Sequence, residues 1–562
     1  MMTSRFLPIV AGTIILLQAA TAYSNLNTFD VREATIDGVH NALFTSLTTC
    51  RAVVSAFLSR IEAFNPTINA IISLNPDALS LADDLDRDLA AGNATGRKLF
   101  CIPILLKDNY NAVPMNTTGG SLALGGNRPT ADAPTVRAFK DAGAIVLGKT
   151  NLHELALEGL SVSSLGGQTV NPYDPTRTPG GSSGGTGAAL AASLAVLGTG
   201  TDTVNSLRSP ASANGLVSVH PTWGLVSRAG IIPVSYTQDV VGPMARNVKD
   251  LAVALTVMTS VGYDEADNAT ALLHPPPSSS PDSMTASNCT DYSESLYGGG
   301  LTGLRIGVLD GFFNHSDSSE TTPVNKAMSA MMGFLKSAGV DIVNITEPIY
   351  NATALAKLDV QTAEFREMMN AYLTDPNLNG TAPTSLNELY AGGKFLVIPG
   401  QYNYVNTSFV SSTNNASYAT NKVGIQNLTL ALRASFARDN LDAVLYPEQK
   451  NLVVKLGAPS QSGRNGILAA LTGSPVVTVP VGFSPASNDA PVGVPIGMEI
   501  LGLPLTEAKL LNIAAHVTQQ YPVRKMPSFA NQSVETTSYT EVPTVTPNNS
   551  NIPSEYPVGV LS

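Results

Sequence analysis

Residues Thr178 to Pro210 read TPGGSSGGTGAALAASLAVLGTGTDTVNSLRSP, and the fold follows from how this stretch must be built. Gly180, Gly181, Gly184 and Gly185 surround Ser182 and Ser183, so the chain bends sharply there and leaves two hydroxyls on the bend. Ala188 to Ala195 is then a run of small residues that predicts a helix able to pack close against a sheet. After a short apolar stretch come Thr201, Asp202, Thr203, Val204, Asn205 and Ser206, a second turn that ends in a serine. Two serine-bearing turns therefore flank one small-residue helix.

Working outward, Ile102 to Leu106 is apolar, Pro134 to Ala142 has helical character with Gly143 as its stop, and Ala144 to Leu147 is apolar again. This predicts a βαβ-like unit with Lys107 at the end of its first strand, where open α/β sheets place ligands. Residues 260–300 are rich in Pro, Ser and Asp, PPPSSSPDS included, and are expected to form a surface insertion. Strands are expected at Arg305 to Leu309 and Asp341 to Asn344 with a helix between them, and helices at Glu347 to Ala437. Core character returns at Asp442 to Tyr446, Pro475 to Val481 and Val494 to Leu501, followed by a helix from Thr506 to Gln519. Residues 528–562 are rich in Ser, Thr, Asn and Pro, carry no hydrophobic lipid-anchor end, and are expected to be disordered.

GGSSGG followed by GTDT, a serine, an arginine two residues on and PAS resembles the amidase signature family of amide hydrolases, secreted fungal-type amidases among them. IPILLKDNY at Ile102 to Tyr110 resembles the family's lysine-bearing segment. Pro221 to Asp250 and Arg464-Asn465-Gly466 resemble its downstream parts. The resemblance runs from about Leu26 to Pro527 and is weakest across 314–439, the region that in the family covers the substrate channel. It implies one large domain over 23–527, a mixed twisted β-sheet covered by helices on both faces. It also implies a Ser-Ser-Lys triad, with Ser206 as nucleophile, Ser182 as bridge after a cis peptide at Gly181-Ser182, and Lys107 as base.

That chemistry sets conditions on the residues. A serine hydroxyl attacks only when a base takes its proton, and a lysine serves as base only when neutral, so Lys107 is expected in a dry site. Asp108 would hold the lysine protonated if it faced the site, and strand alternation predicts that it points away. By resemblance, the main-chain N–H groups of Thr203, Val204, Asn205 and Ser206 form the oxyanion hole. The family usually has two glycines where this chain has Val204 and Asn205, so that turn must avoid positive φ or carry strain. Ser183, Asp202 and Arg208 are expected to support the site, the last two as an ion pair. His153, in a helical NLHELALEG stretch, and His220, before Pro221, read as structural histidines.

Met1 to Ala22 has Arg5, an apolar run from Phe6 to Leu17 and Ala20-Thr21-Ala22 before Tyr23, the features of a secretory signal cleaved after Ala22. Asn-x-Ser/Thr sequons at Asn93, Asn116, Asn268, Asn344, Asn351, Asn406, Asn427 and Asn531 fit an extracellular glycoprotein. The three cysteines, Cys50, Cys101 and Cys289, allow one intramolecular disulfide. Cys50 opens an amphipathic helix (Val53, Val54, Phe57, Leu58, Ile61, Phe64) that Pro66 is expected to follow, which predicts a buried, inert thiol and a Cys101 to Cys289 bridge. The net charge of −11 over 562 residues argues against nucleic acid and anionic membrane surfaces as partners. No cofactor or metal is expected, and the partner is a small-molecule amide. Esterase or acyl transfer through the same triad, and an inactive secreted glycoprotein motivated by Val204-Asn205, are the alternatives. A cytosolic amidotransferase component fits the motif but not the leader and sequons.

Overall fold

The computed structural model describes residues 29–274, 290–380, 382–556 and 561. The leader, the PPPSSSPDS run and Cys289 lie outside the described residues.

The core is an eleven-stranded mixed sheet. Its strands in chain order are β1 Ile71–Leu74, β2 Pro103–Lys107, β3 Ile145–Thr150, β4 Leu197–Asp202, β5 Val217–His220, β6 Val240–Ala245, β7 Arg305–Leu309, β8 Asp341–Ile345, β9 Ala443–Pro447, β10 Val476–Phe483 and β11 Pro495–Leu501. In space they run β1-β3-β2-β4-β6-β5-β10-β11-β9-β7-β8. β2 lies parallel to both β3 and β4, and β7 parallel to β8 and β9. The remaining pairs are antiparallel. Every residue of β2, β3, β4 and β6 is buried, as befits strands with both faces covered by helices. The expected fold class is the observed one.

Four helices carry the parts of the site discussed below: α1 Cys50–Ile68, α2 Gly184–Ala191, α3 Arg208–Ala213 and α4 Gln361–Leu373. α2 packs on β4 and on α3, which in turn packs on β11. Thr49 caps α1 by accepting from Ala52 N–H at 3.1 Å.

Several local expectations are corrected. α1 runs through Pro66 rather than ending before it. Its stop is Asn69 at φ +52°, whose N–H donates to Asn65 O at 2.7 Å, while Asn65 Oδ1 accepts from Ala70 and Ile71 N–H at 2.9 and 2.8 Å. The small-residue helix starts at Gly184 and ends at Ala191, several residues earlier than the alanine run suggests. Its glycines are there for close approach: a Cβ on Gly185 would sit 2.2 Å from Asn151 O and 2.6 Å from Ala70 O. The NLHELALEG stretch forms only a 3-10 turn, Glu154–Ala156.

The disulfide joins Cys50 to Cys101, Cα atoms 5.7 Å apart, and not Cys101 to Cys289. Cys50 is buried as expected but bonded, because the start of α1 lies against the turn that leads into β2. The tail is also corrected, since residues 528–556 pack on the domain. Arg60 donates to Ala530 O at 2.8 Å and Gln532 O at 3.2 Å, and Arg51 to Tyr539 O at 2.7 Å. Asn551 Oδ1 accepts from Gln168 N–H at 2.8 Å, and Tyr556 is buried. A polar composition conceals this, for the segment is held by main-chain carbonyls and asparagines.

Candidate active site

Lys107 ends β2 and is wholly buried. Its Nζ donates to Ser182 Oγ at 2.7 Å and to Thr201 Oγ1 at 2.8 Å, two hydroxyls and no carboxylate. Burial drives its pKa down to about 7, against the opposing fields of Asp202 and Asp239. A substantial neutral fraction therefore exists near neutral pH. Asp108 faces the other way, as strand alternation requires. It meets Lys149 Nζ at 3.1 Å and accepts from Thr118 N–H at 3.2 Å. Lys149 is equally buried and also donates to Tyr110 O, Asn116 O and Thr117 Oγ1. The carboxylate beside the site lysine is thus matched by a cation of its own.

Ser182 stands on the bend before α2, and the Gly181–Ser182 peptide is cis. Gly180 precedes it at φ +71°, where a side chain would be strained and a Cβ would lie 2.9 Å from Ser209 O. Ser182 O accepts from His153 N–H at 3.0 Å. Ser183 N–H donates to Ser206 O at 3.1 Å, which ties the first serine turn to the second.

The second turn, between β4 and α3, is held from beneath. Asp202 Oδ2 accepts from Leu207 N–H at 3.1 Å and Arg208 Nε at 3.0 Å, and Oδ1 accepts from Arg208 Nη2 at 3.0 Å. Arg208 also donates to Glu499 Oε2 at 2.8 Å, Val204 O at 2.5 Å and Gly466 O at 3.0 Å. All three ionic side chains are fully buried. Burial pushes the Asp202 carboxyl up, but Arg208 and His220 outweigh it and hold it far below the usual carboxylate range. The expected Asp202–Arg208 pair is present, with Glu499 as a third member.

Three carbonyls of this turn are occupied. Thr203 O accepts from Gln238 Nε2 at 3.3 Å, Val204 O from Arg208, and Asn205 O from Ser209 N–H at 2.8 Å. In a planar trans peptide the N–H opposes the C=O, so the N–H groups of Val204, Asn205 and Ser206 point away from these partners. None of the three donates a hydrogen bond among the described residues. Neither Val204 nor Asn205 has positive φ. The Asn205 side chain anchors the turn instead, donating to buried Glu448 Oε1 at 3.1 Å.

Val204, Thr203 and Ser206 line a cavity of about 300 Å³, and Ser206 reaches it with 7% of its surface. No hydrogen bond joins Ser206 Oγ to Ser182 Oγ among the described residues. The structure therefore gathers Lys107, Ser182, Ser183, Asp202, Thr203, Val204, Asn205, Ser206 and Arg208 about one turn. Thr201, Lys149, Gln238, Glu448 and Glu499 escape a reading of the sequence. Of these, Thr201 alone carried a local signal, as a hydroxyl one residue before Asp202 at the end of the strand that leads into the turn. His153 is buried with its pKa lowered to about 4 by desolvation, and its Nε2 lies 3.2 Å from Gln401 Oε1. Such a neutral, fixed imidazole fits the structural role expected of it.

Buried lysine on a serine hydroxyl, a second serine facing a cavity and a turn of undirected N–H groups are parts of an acyl-transfer site with no histidine base. The Amidase family model matches residues 52–511. A probable amidase of Arabidopsis thaliana is 31% identical over 522 residues, 90% of this chain and 93% of its own length. A glutamyl-tRNA(Gln) amidotransferase component from Methylobacillus flagellatus is 32% identical over 83% of this chain and 92% of its own. Among solved structures, the native peptide amidase of Stenotrophomonas maltophilia superposes with a TM-score of 0.75 at 34% identity, covering 89% of this chain and 99% of that one. The chain belongs to the Amidase family, and it is an amide hydrolase.

Proposed function

We propose that the protein hydrolyses a carboxylic amide through an acyl-enzyme on Ser206, with Ser182 and Lys107 as the proton relay. The observation that carries this reading is the buried Lys107 bonded at 2.7 Å to Ser182 and to no carboxylate. Neutral Lys107 accepts the Ser182 proton while Ser182 accepts that of Ser206, and Ser206 Oγ bonds to the amide carbon. The N–H groups of the 203–206 turn stabilise the oxyanion. Collapse breaks the C–N bond, and the proton returns through Ser182 to the departing amine or ammonia. Water then repeats the sequence and releases the acid. The Ser182–Ser206 contact that this relay needs forms as substrate seats, since catalytic hydrogen bonds are often long before it does.

A fluorophosphonate probe is expected to label Ser206, with labelling lost in Ser206→Ala and amide turnover lost with it. Labelling of folded Ser206→Ala at wild-type stoichiometry would refute the assignment.

The protein also acts outside the cell, on our reading, as a glycoprotein cleaved after Ala22. Support comes from the leader's composition and from sequons whose asparagines are exposed at positions 93, 116, 268, 344, 351, 427 and 531. The Cys50–Cys101 bridge adds to it, because disulfides persist in oxidising compartments.

A further inference from the structure

The cavity beside Ser206 carries three acidic or basic side chains, Glu158, Arg464 and Asp359. Two of them cancel. Glu158 takes the Arg464 guanidinium on both oxygens, at 3.0 and 3.3 Å, and accepts further from Gly159 and Gln461 N–H at 2.9 and 3.3 Å. Burial raises the Glu158 carboxyl, but Arg464, with the Gly159 and Gln461 N–H groups, outweighs it and holds it below its ordinary value. Arg464 thus has its fork occupied and is poorly placed to bind a substrate carboxylate.

Asp359 is different. It lies two residues before α4 and accepts from Gln361 N–H at 2.9 Å and Gln361 Nε2 at 2.5 Å, with no cationic partner among the described residues. Burial pushes its carboxyl up, against the Gln361 hydrogen bonds and the field of Arg464, which makes no ion pair with it. On the same cavity wall the hydroxyl of Tyr404 is buried and has no hydrogen-bond partner among the described residues. A carboxylate without an ion-pair partner and a tyrosine whose buried hydroxyl is unpartnered therefore line the space into which Ser206 opens. At about 300 Å³ that space lies at the small end of ligand sites.

We infer that Asp359, with Tyr404 beside it, binds a substrate ammonium, so that the amides this enzyme takes are small and carry a free amine: amides of amino acids or of very short peptides. The inference rests on Ser206 being the nucleophile. An anionic acyl group would meet two carboxylates and a guanidinium already engaged, and is disfavoured by the same geometry. Asp359 is a recognition residue here and moves no proton.

The test compares kcat/KM for L-leucinamide, whose amine is charged, with N-acetyl-L-leucinamide, whose amine is not, in wild type and Asp359→Asn. Wild type is expected to prefer leucinamide. The variant should lose about 10- to 100-fold on leucinamide, mostly in KM, as expected for a lost bond to a charged group, and change little on the acetylated amide. Should Asp359→Asn fail to fold, inhibition of the wild type by butylammonium against butanol reads the same subsite, and the cation is expected to bind more tightly. Preference for the acetylated amide, equal losses on both substrates, or equal inhibition by cation and alcohol would each overturn the proposal. If the wild type cleaves neither amide, the probe separates the failures: a labelled Ser206 condemns the ammonium subsite alone, an unlabelled one the nucleophile as well.

Discussion

Lys107 shows how one residue's surroundings decide its chemistry. With its hydrogen bonds spent on Ser182 and Thr201 and its charge unsolvated, it titrates near 7 in the folded chain against an ordinary 10.5. The neutral form is the base, so kcat/KM for an amide should rise with pH through about 7 and level off above it. The sign for stability is the same. Between about 7 and 10.5 the unfolded chain keeps this proton and the folded chain has lost it, so this group's contribution to stability increases with pH across that window. Lys107→Ala should lower turnover by about 10² to 10⁴-fold, and Lys107→Arg should do no better because a guanidinium stays charged. Steady-state rates from pH 5 to 10, with circular dichroism as the folding control, test this. A folded Lys107→Ala enzyme with unchanged turnover would remove the lysine from the mechanism.

Among the elements, α2 has a sequence tightly constrained by what it touches. Gly185 brings the helix onto the main chain at Asn151 and Ala70, atoms that cannot swing aside. Gly185→Ala should therefore cost about 1–3 kcal/mol or more through overpacking and displace the Ser182 bend. Gly333, in the exposed interior of helix Thr322–Ser337, has open space where a methyl would stand, with nothing within 4 Å, so Gly333→Ala should be neutral or stabilise by up to about 1 kcal/mol. Urea denaturation of the two variants side by side measures the contrast. Equal effects would show that close packing is not why the helix carries glycine.

On the scale of the whole molecule, the bridge from Cys50 to Cys101 ties the first long helix to the strand that bears Lys107, and residues 530–539 lie back across α1. Closing a loop of 51 residues contributes about 4 kcal/mol in the chain-entropy picture, and such a bridge persists best in an oxidising compartment. Protein recovered from a secreting host is accordingly expected to begin at Tyr23 and to lose mass on treatment with an N-glycosidase. N-terminal sequencing and mass spectrometry check this. An intact Met1 on unglycosylated protein would refute it.

Local chemistry makes much of this protein legible in its sequence. The apolar runs that form β2, β3, β7 and β9 through β11 are short, bounded and read as largely buried strands, and the glycine-serine bend reads as a sharp turn because glycine alone takes its positive φ without strain. The orientation of Asp108 follows from alternation alone. What cannot be read are the partners. Glu499 meets Arg208 across 291 residues, and Glu448 meets Asn205 across 243, because the sheet order sets β11 and the end of β9 beneath the turn. The disulfide and the tail depart from expectation for the same reason: a cysteine's partner, or a polar segment's anchorage, depends on which surfaces the finished fold brings together. The sequence alone supplied the turns, the hydroxyls and the lysine, since backbone freedom and side-chain reactivity are local, and its resemblance to a family implied their roles. Only the tertiary structure decided Lys107's lost solvent, the direction of the free N–H groups and the placing of Asp359 on the cavity wall without an ion pair, since desolvation and electric fields belong to the assembled molecule.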